Sequence, residues 1–430
     1  MKNYLLILLL CIPFLGFSAY KINGKIESYD NRPVIIKIYD NGVSRAVQRV
    51  MTDSDGKFTY QMPTAYVGII DLELTQGTLQ VIALNEDVNF QVSLQDPLRK
   101  VNYSSGKASQ LDTFLNIKEL QDLRDFTLKE LLHYYTPDQS FHKALNTEIE
   151  RINALSGVMP EHPALQYYIR TKEKLKNYER GLLSPQAVMT DLELTLSQDP
   201  DYLEQFGFLP EMVSIYLSNA SAGSNSRDEM ERKMERSLDQ LLDKVVAETR
   251  RGQALLSNSI SLFEGARFTR LSRKYTQQVA DMTCALNDDL QQLVNATKNM
   301  NPGDQVPNIE FNHAVKGKKS LYDIKADKKL IIFWGSWCPH CVNELPYIKE
   351  FYKNFKAGGG EILAFALDME AQDYLTHVAD TEWYNYSDLM KWDSPVAKKY
   401  GVVATPSMVL VDKNNKIIKK GGRISDFLNF

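Results

Sequence analysis

The sequence predicts a protein built from three parts: a small all-β sandwich, a central all-α region, and a C-terminal α/β fold with a central sheet. Short β-branched runs separated by turn residues come first, apolar residues at helical spacing follow, and strands then alternate with helices. We place the three parts at 19–97, 98–300 and 301–430, behind a leader at 1–18.

The composition is that of a folded protein and argues against binding to nucleic acid. Of 430 residues, 43% are hydrophobic and 24% are charged, unlike a disordered chain. The formal net charge is −4 and no long run of Lys or Arg occurs. A nucleic-acid surface needs concentrated positive charge to neutralise phosphates, so we expect no such partner.

The N-terminus has the pattern of a secretory signal peptide. Lys2 supplies a positive charge ahead of an apolar run from Tyr4 to Phe17. Gly16 and Ser18 then place small residues where cleavage after Ser18 would occur. The run is shorter than the ~20 apolar residues that cross a bilayer, which disfavours the alternative of an uncleaved anchor. The pattern predicts export to the periplasm or cell envelope.

Cysteine is too rare for a disulfide scaffold. The chain has four cysteines, and Cys11 lies inside the predicted signal peptide. A lipid anchor at Cys11 is disfavoured because Leu10 stands where a lipobox needs a small residue. Cys284 is predicted to be a small buried hydrophobic residue on a helical segment, with a regulatory thiol as the alternative. The pair Cys338 and Cys341 is expected to be chemical in role.

In the predicted β part, short strand runs end in turn signals. The run 34–39 ends at turn residues 40–42, and the runs 47–52 and 57–60 flank turn residues at 53–56. The second arrangement is typical of a β-hairpin. Further runs follow at 69–74, 78–84 and 88–94. Strands this short and closely spaced predict a small sandwich.

The central region has the spacing of amphipathic helices. Ser226 and Glu229 form a capping-box pattern ahead of an apolar stripe. The stripe consists of Met230, Met234, Leu238, Leu241, Leu242 and Val245. We expect it to face a protein core rather than a ligand. Residues 301–304, rich in turn formers, mark the linker to the last part.

The C-terminal part carries the residues with clear chemistry. An apolar strand run at 329–334 precedes the sequence Trp-Cys-Pro-His-Cys at 337–341, and a helical segment follows at 342–355. Further strand runs lie at 361–367, 407–411 and 416–420. The two cysteines therefore occupy a turn that opens a helix.

A cysteine at a helix N-terminus is expected to be reactive. Unpaired amides and the positive end of the helix dipole stabilise the Cys338 thiolate and lower its pKa. His340, when protonated, adds positive charge, and Pro339 fits the first helical turn. Cys341 is close enough to form a disulfide. We expect Cys338 to be exposed and to attack first, and Cys341 to lie deeper and resolve the mixed disulfide.

Three other roles for this motif are disfavoured. A zinc site lacks a second pair of ligands at suitable spacing, because His313 and His377 are scattered. A static structural disulfide closes too short a loop to stabilise much. A one-cysteine peroxidase usually surrounds its thiolate with Thr and Arg donors, which Trp337 and Pro339 do not supply. We expect neither a metal nor an organic cofactor.

Residues from about 302 to 430 resemble the thioredoxin-fold thiol–disulfide oxidoreductases of the TlpA/ResA type. The matching segments are 333–341, 344–346, 399–402 and 405–406. Thioredoxin carries a buried Asp near the end of the strand before the motif, and this chain has Ile332 there. The Pro-His dipeptide also occurs in strongly oxidising members, so the resemblance leaves reductant and oxidant open.

The resemblance implies roles for several residues around the two thiols. It implies a cis peptide bond before Pro406, and a Thr405 backbone that pairs with bound substrate beside Trp337. Glu344 matches an acidic residue that manages protons, or is a solvated helix residue that pairs with Lys349 or with no group at all. The implied partners are protein thiols or disulfides and a membrane electron donor.

The N-terminal β part also resembles a known type of domain. Gly24 and the Asp-Gly-Lys-Phe turn at 55–58 resemble small β domains that precede such thioredoxin modules in secreted Bacteroidetes proteins. The competing interpretation of the whole chain is a partner-binding or scaffold protein with a redox-silent thioredoxin-like module. The intact pair Cys338 and Cys341 argues against it.

Overall fold

A computed structural model describes residues 20–96, 99–402 and 404–429, without the side chains of 295–299. The predicted signal peptide at 1–18, Cys11 and the predicted boundary at 97–98 lie outside these residues. The chain forms two compact units. Among the described residues, the first unit contains 20–32 with Val50–Gly68 and Val81–Gln166, and the second contains Pro33–Arg49, Ile69–Gln80 and 167–429.

The first part of the chain forms strand sheets, as the sequence predicts. The strands are β1 Lys21–Glu27, β2 Pro33–Asp40, β3 Val43–Met51, β4 Lys57–Gln61, β5 Val67–Leu74, β6 Gly77–Leu84, β7 Val88–Ser93 and β8 Asn102–Tyr103. They make two four-stranded sheets, of order β4-β1-β7-β8 and β3-β2-β5-β6. Their β-branched and aliphatic runs supply buried residues such as Ile35, Ile36 and Ile70.

The predicted hairpin of 47–52 with 57–60 is wrong. The turn itself forms: Asp53 Oδ1 accepts the Lys57 amide at 2.8 Å, and Gly56 has φ 74°, which favours glycine. The chain then changes sheet, because β3 pairs with β2 whereas β4 pairs antiparallel with β1. Turn residues specify a chain reversal, but the choice of partner strand depends on which faces are buried.

The central region is helical. Its helices are α1 Ala108–Leu123, α2 Lys129–Leu132, α3 Ser140–Asn153, α4 Pro163–Glu179, α5 Pro185–Gln198, α6 Tyr202–Gln205, α7 Leu209–Ala220, α8 Arg227–Val245, α9 Arg250–Gly265, α10 Thr269–Ala280 and α11 Asp288–Asn299. Ser226 caps α8 by accepting the Glu229 amide at 3.2 Å. Met234, Leu238 and Leu241 are buried, so the apolar stripe faces a core as predicted.

Cys284 differs from its prediction. It lies in the loop between α10 and α11, not on a helix, and it is half-buried. Its Sγ is 3.7 Å from Nε2 of Gln253. A polar neighbour and partial exposure are not the surroundings of a buried hydrophobic residue.

The C-terminal part is an α/β fold. Its elements are β9 Glu310–Val315, β10 Lys318–Ser320, β11 Lys328–Trp334, α12 Pro339–Ala357, β12 Gly360–Ala366, α13 Ala371–Val378, β13 Tyr384–Tyr386, α14 Pro395–Lys399, β14 Ser407–Asp412 and β15 Ile417–Gly421. Five strands form one sheet of order β13-β12-β11-β14-β15. β11 runs parallel to β12 and antiparallel to β14. The predicted final hairpin of β14 and β15 is confirmed.

Strand β11 is the centre of this sheet and is buried on both faces. Leu330, Ile332 and Trp334 belong to the core that contains α12. Ile331 and Phe333 belong to the core on the opposite face. An almost continuous apolar run is what a central strand covered on both sides requires. The turn that carries the two cysteines therefore follows directly after a strand that is fixed by packing on both faces.

No helix in the part of the chain that the structure describes has the length and apolar character needed to cross a bilayer.

The predicted boundaries between the three parts, at 97/98 and 300/301, stay predictions.

Candidate dithiol site

The two cysteines lie where β11 passes into α12. Cys338 is the N-cap of α12, and its Sγ accepts the backbone N–H of Cys341 at 3.3 Å. Pro339 occupies the first helical position, where a missing N–H costs nothing. The helix continues through Pro346 to Ala357. The sulfur thus takes the place of the oxygen that usually caps a helix.

The two thiols differ in depth. Cys341 is 1% exposed and Cys338 is 7% exposed, and the structure holds both as free thiols. The expectation of an exposed Cys338 is therefore wrong, although Cys338 is the more accessible of the two. The reason is the Thr405 backbone, whose carbonyl oxygen lies 3.7 Å from the Cys338 sulfur.

The surroundings of the two thiols shift their pKa values in opposite directions. Burial raises the pKa of Cys338, but hydrogen bonds outweigh this effect and bring the pKa below its ordinary value. These bonds come from the side chains of Cys341 and Thr405 and from the backbone amides of Cys341 and His340. Burial, together with the Cys338 side chain, raises the pKa of Cys341 to about 12. Cys338 is therefore the thiol that ionises first.

The loop before β14 faces the first thiol. The Thr405–Pro406 peptide bond is cis, as the resemblance implies. The structure thus brings together Cys338, Cys341 and Thr405, three residues that the sequence analysis assigned to one site.

Trp337 forms the rim of the site. Its Nε1 donates to the Leu367 carbonyl at 2.6 Å, and the residue is 42% exposed. A side chain at Gly335 would lie 2.6 Å from the indole, so the ring packs directly over that glycine. The edge of Trp392 meets the ring at a centroid distance of 5.7 Å. Part of the indole, in the residue next to Cys338, therefore remains open to solvent.

Among the hydrogen bonds of the described residues, none joins the side chain of His340 or Glu344 to either thiol. His340 is exposed on the first turn of α12, and its backbone amide is the group that affects Cys338. Glu344 is half-buried and its Oε1 accepts the Ile424 amide at 2.7 Å. Lys349 pairs with Asp380 at 2.7 Å, so the alternative pairing of Glu344 with Lys349 is wrong. The carboxylate of Glu344 binds the C-terminal segment instead.

Asp368 is a buried carboxyl group that the sequence analysis missed. It lies just beyond β12 and is 1% exposed. The Ser336 hydroxyl donates to its Oδ1 at 2.5 Å, and the Ser336 amide lies 3.2 Å from its Oδ2. Burial raises the pKa of Asp368 above its ordinary value despite these bonds. The signal was its position at the carboxyl end of a parallel strand, where functional groups gather.

A cluster of charges lies beside Trp337 and was also missed. The Lys391 ammonium is 5.6 Å from the indole centroid and 3.0 Å from a carboxylate oxygen of Glu73. Lys37 joins Glu73, at 3.1 Å, to Asp393, at 2.7 Å. Glu73 and Lys37 belong to strands β5 and β2. No sequence signal connected these strands with the dithiol turn.

No metal ligand is assigned. Among the residues that the structure describes, no group of three or more His, Cys, Asp or Glu side chains is arranged to hold a metal ion.

A central mixed sheet, a dithiol at the N-terminus of a long helix and a cis proline preceded by a carbonyl that faces the first sulfur define a thioredoxin-fold protein. The AhpC/TSA family matches residues 302–420. The chain is similar to the thiol-disulfide oxidoreductase ResA of Bacillus thuringiensis subsp. konkukian, with 31% identity over 126 residues, which is 28% of this chain and 69% of the relative. It is 28% identical to ResA of Bacillus subtilis over 139 residues, covering 32% of this chain and 77% of that one.

The chain thus belongs to the family of ResA-type thiol–disulfide oxidoreductases, enzymes of disulfide exchange. Among solved structures, it is similar to the thioredoxin domain of a thiol-disulfide oxidoreductase from Bacteroides vulgatus. The identity is 28%, the match covers 30% of this chain and 94% of that domain, and the TM-score is 0.28.

Proposed function

We propose that Cys338 and Cys341 are the redox pair through which this enzyme exchanges disulfides with partner proteins. The observation that carries the proposal is the position of Cys338 at the N-cap of α12, where its sulfur accepts the Cys341 amide at 3.3 Å and lies 3.7 Å from the Thr405 carbonyl oxygen. In keeping with this geometry, the pKa of Cys338 is lowered and that of Cys341 is raised to about 12. Cys338 is thereby the thiol that ionises and attacks first, and Cys341 stays protonated until the second step of the exchange.

The proposed reaction proceeds through a mixed disulfide. The Cys338 thiolate attacks one sulfur of a substrate disulfide, forms a mixed disulfide and releases the other substrate sulfur as a thiolate. Cys341 then loses its proton and attacks the Cys338 sulfur, which frees the second substrate thiolate. The products are a Cys338–Cys341 disulfide and a substrate dithiol, and the reverse sequence oxidises a dithiol.

Neighbouring groups have proposed roles in this reaction. The Thr405 backbone, next to cis Pro406, aligns an extended substrate segment by adding a strand, and Trp337 flanks it. His340 favours the Cys338 thiolate through its backbone amide, and a further effect of its imidazole stays a prediction. Glu344 as a proton carrier stays a prediction, since its carboxylate already accepts the Ile424 amide.

The cellular setting is also a proposal. The pattern at 1–18 supports export to the periplasm or cell envelope. An exported dithiol needs a partner that restores its redox state, and a membrane electron donor fits a reductant. No organic cofactor or metal takes part in the proposed exchange.

Substitution of each thiol tests the proposal. We expect Cys338→Ser to lower the rate of dithiobisnitrobenzoate reduction by at least about a hundredfold, since a hydroxyl is not ionised at neutral pH. Cys284→Ser is the matched control, because Cys284 is a free thiol outside the site, and its rate stays that of the parent. Full activity in Cys338→Ser would refute the residue assignment, whereas a parent protein that neither reduces nor oxidises any disulfide substrate would support the scaffold interpretation.

A redox titration of the pair then gives the direction. A potential near about −270 mV indicates a reductant that receives electrons, and one near about −120 mV indicates an oxidant. Cys341→Ser is expected to accumulate a mixed disulfide with substrate, visible in the mass of the intact protein.

A further inference from the structure

The indole of Trp337, the residue before Cys338, packs against a cation that is anchored by an N-terminal strand. The Lys391 ammonium lies 5.6 Å from the centroid of the Trp337 ring, within the range of a cation–π contact. The same ammonium is 3.0 Å from Oε1 of Glu73, near the end of β5. Strand β5, which is distant in the sequence, is therefore linked to Trp337 through the Lys391 ammonium.

The Lys391 ammonium is held in place by its largely buried ion pair with Glu73. The side chains of Glu73 and Lys391 are 8% and 18% exposed. Burial raises the pKa of Glu73, but Lys37 and Lys391 outweigh it and keep the pKa below its ordinary value. Glu73 is thus a carboxylate at neutral pH. A buried pair of this kind is held in one geometry more firmly than a solvated one.

A second path joins the same strands to the same rim. Lys37 on β2 bridges Glu73 to Asp393, the residue after Trp392. The Trp392 ring meets Trp337 edge to face. Lys391 and Trp392, which both contact the indole, are adjacent in the sequence. The segment that contains them is held in place by the ion pairs of Lys37 on β2 and Glu73 on β5.

We propose that Glu73 and Lys391 are positioning residues that hold Trp337 as an apolar wall for substrate beside Cys338. This inference rests on the proposed function, in which Cys338 attacks the substrate disulfide. The open part of the indole offers an apolar surface, which suits a protein disulfide with an apolar or aromatic residue next to the attacked cysteine. The N-terminal strands thereby take part in substrate recognition.

The kinetics of three variants test the proposal. The probe is a disulfide-bonded peptide with Phe beside one cysteine, reduced by the full chain. We expect Lys391→Met and Glu73→Gln each to raise KM about threefold, the worth of one cation–π contact, with kcat changed by less than about twofold. Their double variant shows the same threefold rise, because both remove one interaction. Lys391→Arg, which keeps a cation over the ring, restores the parent KM.

The orientation of the indole is read independently by NMR. The chain has four tryptophans and so four indole N–H signals, and the signal lost in Trp337→Phe is assigned. We expect that signal to shift or broaden in Lys391→Met and in Glu73→Gln. Glu204→Gln is the matched control, since it removes a carboxylate that is 9% exposed and pairs with Arg251 at 2.5 Å in the helical region. It leaves both the signal and KM unchanged.

Each contrary result has a distinct meaning. Unchanged KM and an unchanged indole signal in Lys391→Met overturn the positioning role. A double variant with a ninefold rise, about the product of the single effects, overturns the link between Glu73 and Lys391. Should Glu73→Gln fail to fold, Lys391→Met remains informative because Glu73 keeps Lys37. Failure of the proposed function appears elsewhere, as full activity in Cys338→Ser.

Discussion

The thiol side and the indole side of the dithiol site are built in different ways. The backbone N–H of Cys341 donates to the Cys338 sulfur within the first turn of α12, so both cysteines belong to a single continuous segment. Trp337 is held by the Leu367 carbonyl and by Lys391, which a strand of the N-terminal region holds in turn. The first turn of the helix thus supplies the amides that favour the Cys338 thiolate, with burial and Thr405 adjusting its pKa, whereas the shape of the rim depends on tertiary contacts alone.

The first prediction tests the asymmetry of the thiol side. At pH 7.5, Cys338 should react with iodoacetamide at least about thirtyfold faster than Cys341. The pKa of Cys341 is about 12 and that of Cys338 lies below 9.0, so the thiolate fractions differ by at least about a thousandfold. The greater nucleophilicity of the more basic thiolate recovers part of this difference.

Mass spectrometry of peptides from the reduced, briefly alkylated protein measures this ratio. The rate at Cys338 rises with pH and reaches half its maximum below pH 9.0, while Cys341 stays nearly unreactive over that range. Equal labelling of the two cysteines would contradict the proposed order of attack.

The second prediction concerns the tertiary support of the thiol side. Asp368→Ala leaves the Ser336 amide and hydroxyl without their buried acceptor, and we expect a loss of about 1–3 kcal/mol of unfolding free energy. Asp368→Asn keeps one acceptor oxygen and should recover most of it. Urea unfolding followed by tryptophan fluorescence suits the measurement, because all four tryptophans lie in 334–392.

Equal stability of the Ala and Asn variants would show that the Ser336 bonds are unimportant. A lower alkylation rate at Cys338 in Asp368→Ala alone would extend the role of Asp368 to the position of the turn.

The third prediction concerns acid stability of the indole side. The folded pKa of Glu73 lies below its ordinary 4.5, so the ion pairs contribute stability that is complete above pH 4.5. This stability is lost as the pH falls through the lowered pKa. Between pH 7 and pH 3.5, the parent should lose about 1 kcal/mol more unfolding free energy than Glu73→Gln. Urea unfolding at both pH values measures the difference, and parallel losses would contradict it.

Local signals predicted much of the fold and part of the site. The strand that becomes β11, the helix that becomes α12 and the final hairpin of β14 and β15 follow from apolar runs, a proline at a helix start and turn residues. The hairpin of β3 with β4 fails because a turn sequence does not specify the partner strand. Cys338 is more buried than predicted because the Thr405 loop, distant in sequence, covers it.

The missed residues share one property. Asp368 and Glu73 each follow or end an apolar strand run, and each acts through a partner far along the chain, Ser336 and Lys391 respectively. A single sequence shows that a carboxylate is present but not which group it faces. Burial and pairing decide its role, and both arise only when the strands are packed.

By itself, the sequence determined the placement of two thiols in one turn at a helix N-terminus, where the dipole and the free amides favour a thiolate. Tertiary structure alone decided which groups stand beside that turn. Helix geometry is set by neighbours within a few residues, whereas the cation over Trp337 and the carboxyl group that accepts from Ser336 come from segments distant in the sequence. Contacts of that kind depend on sheet order and burial, which no local pattern encodes.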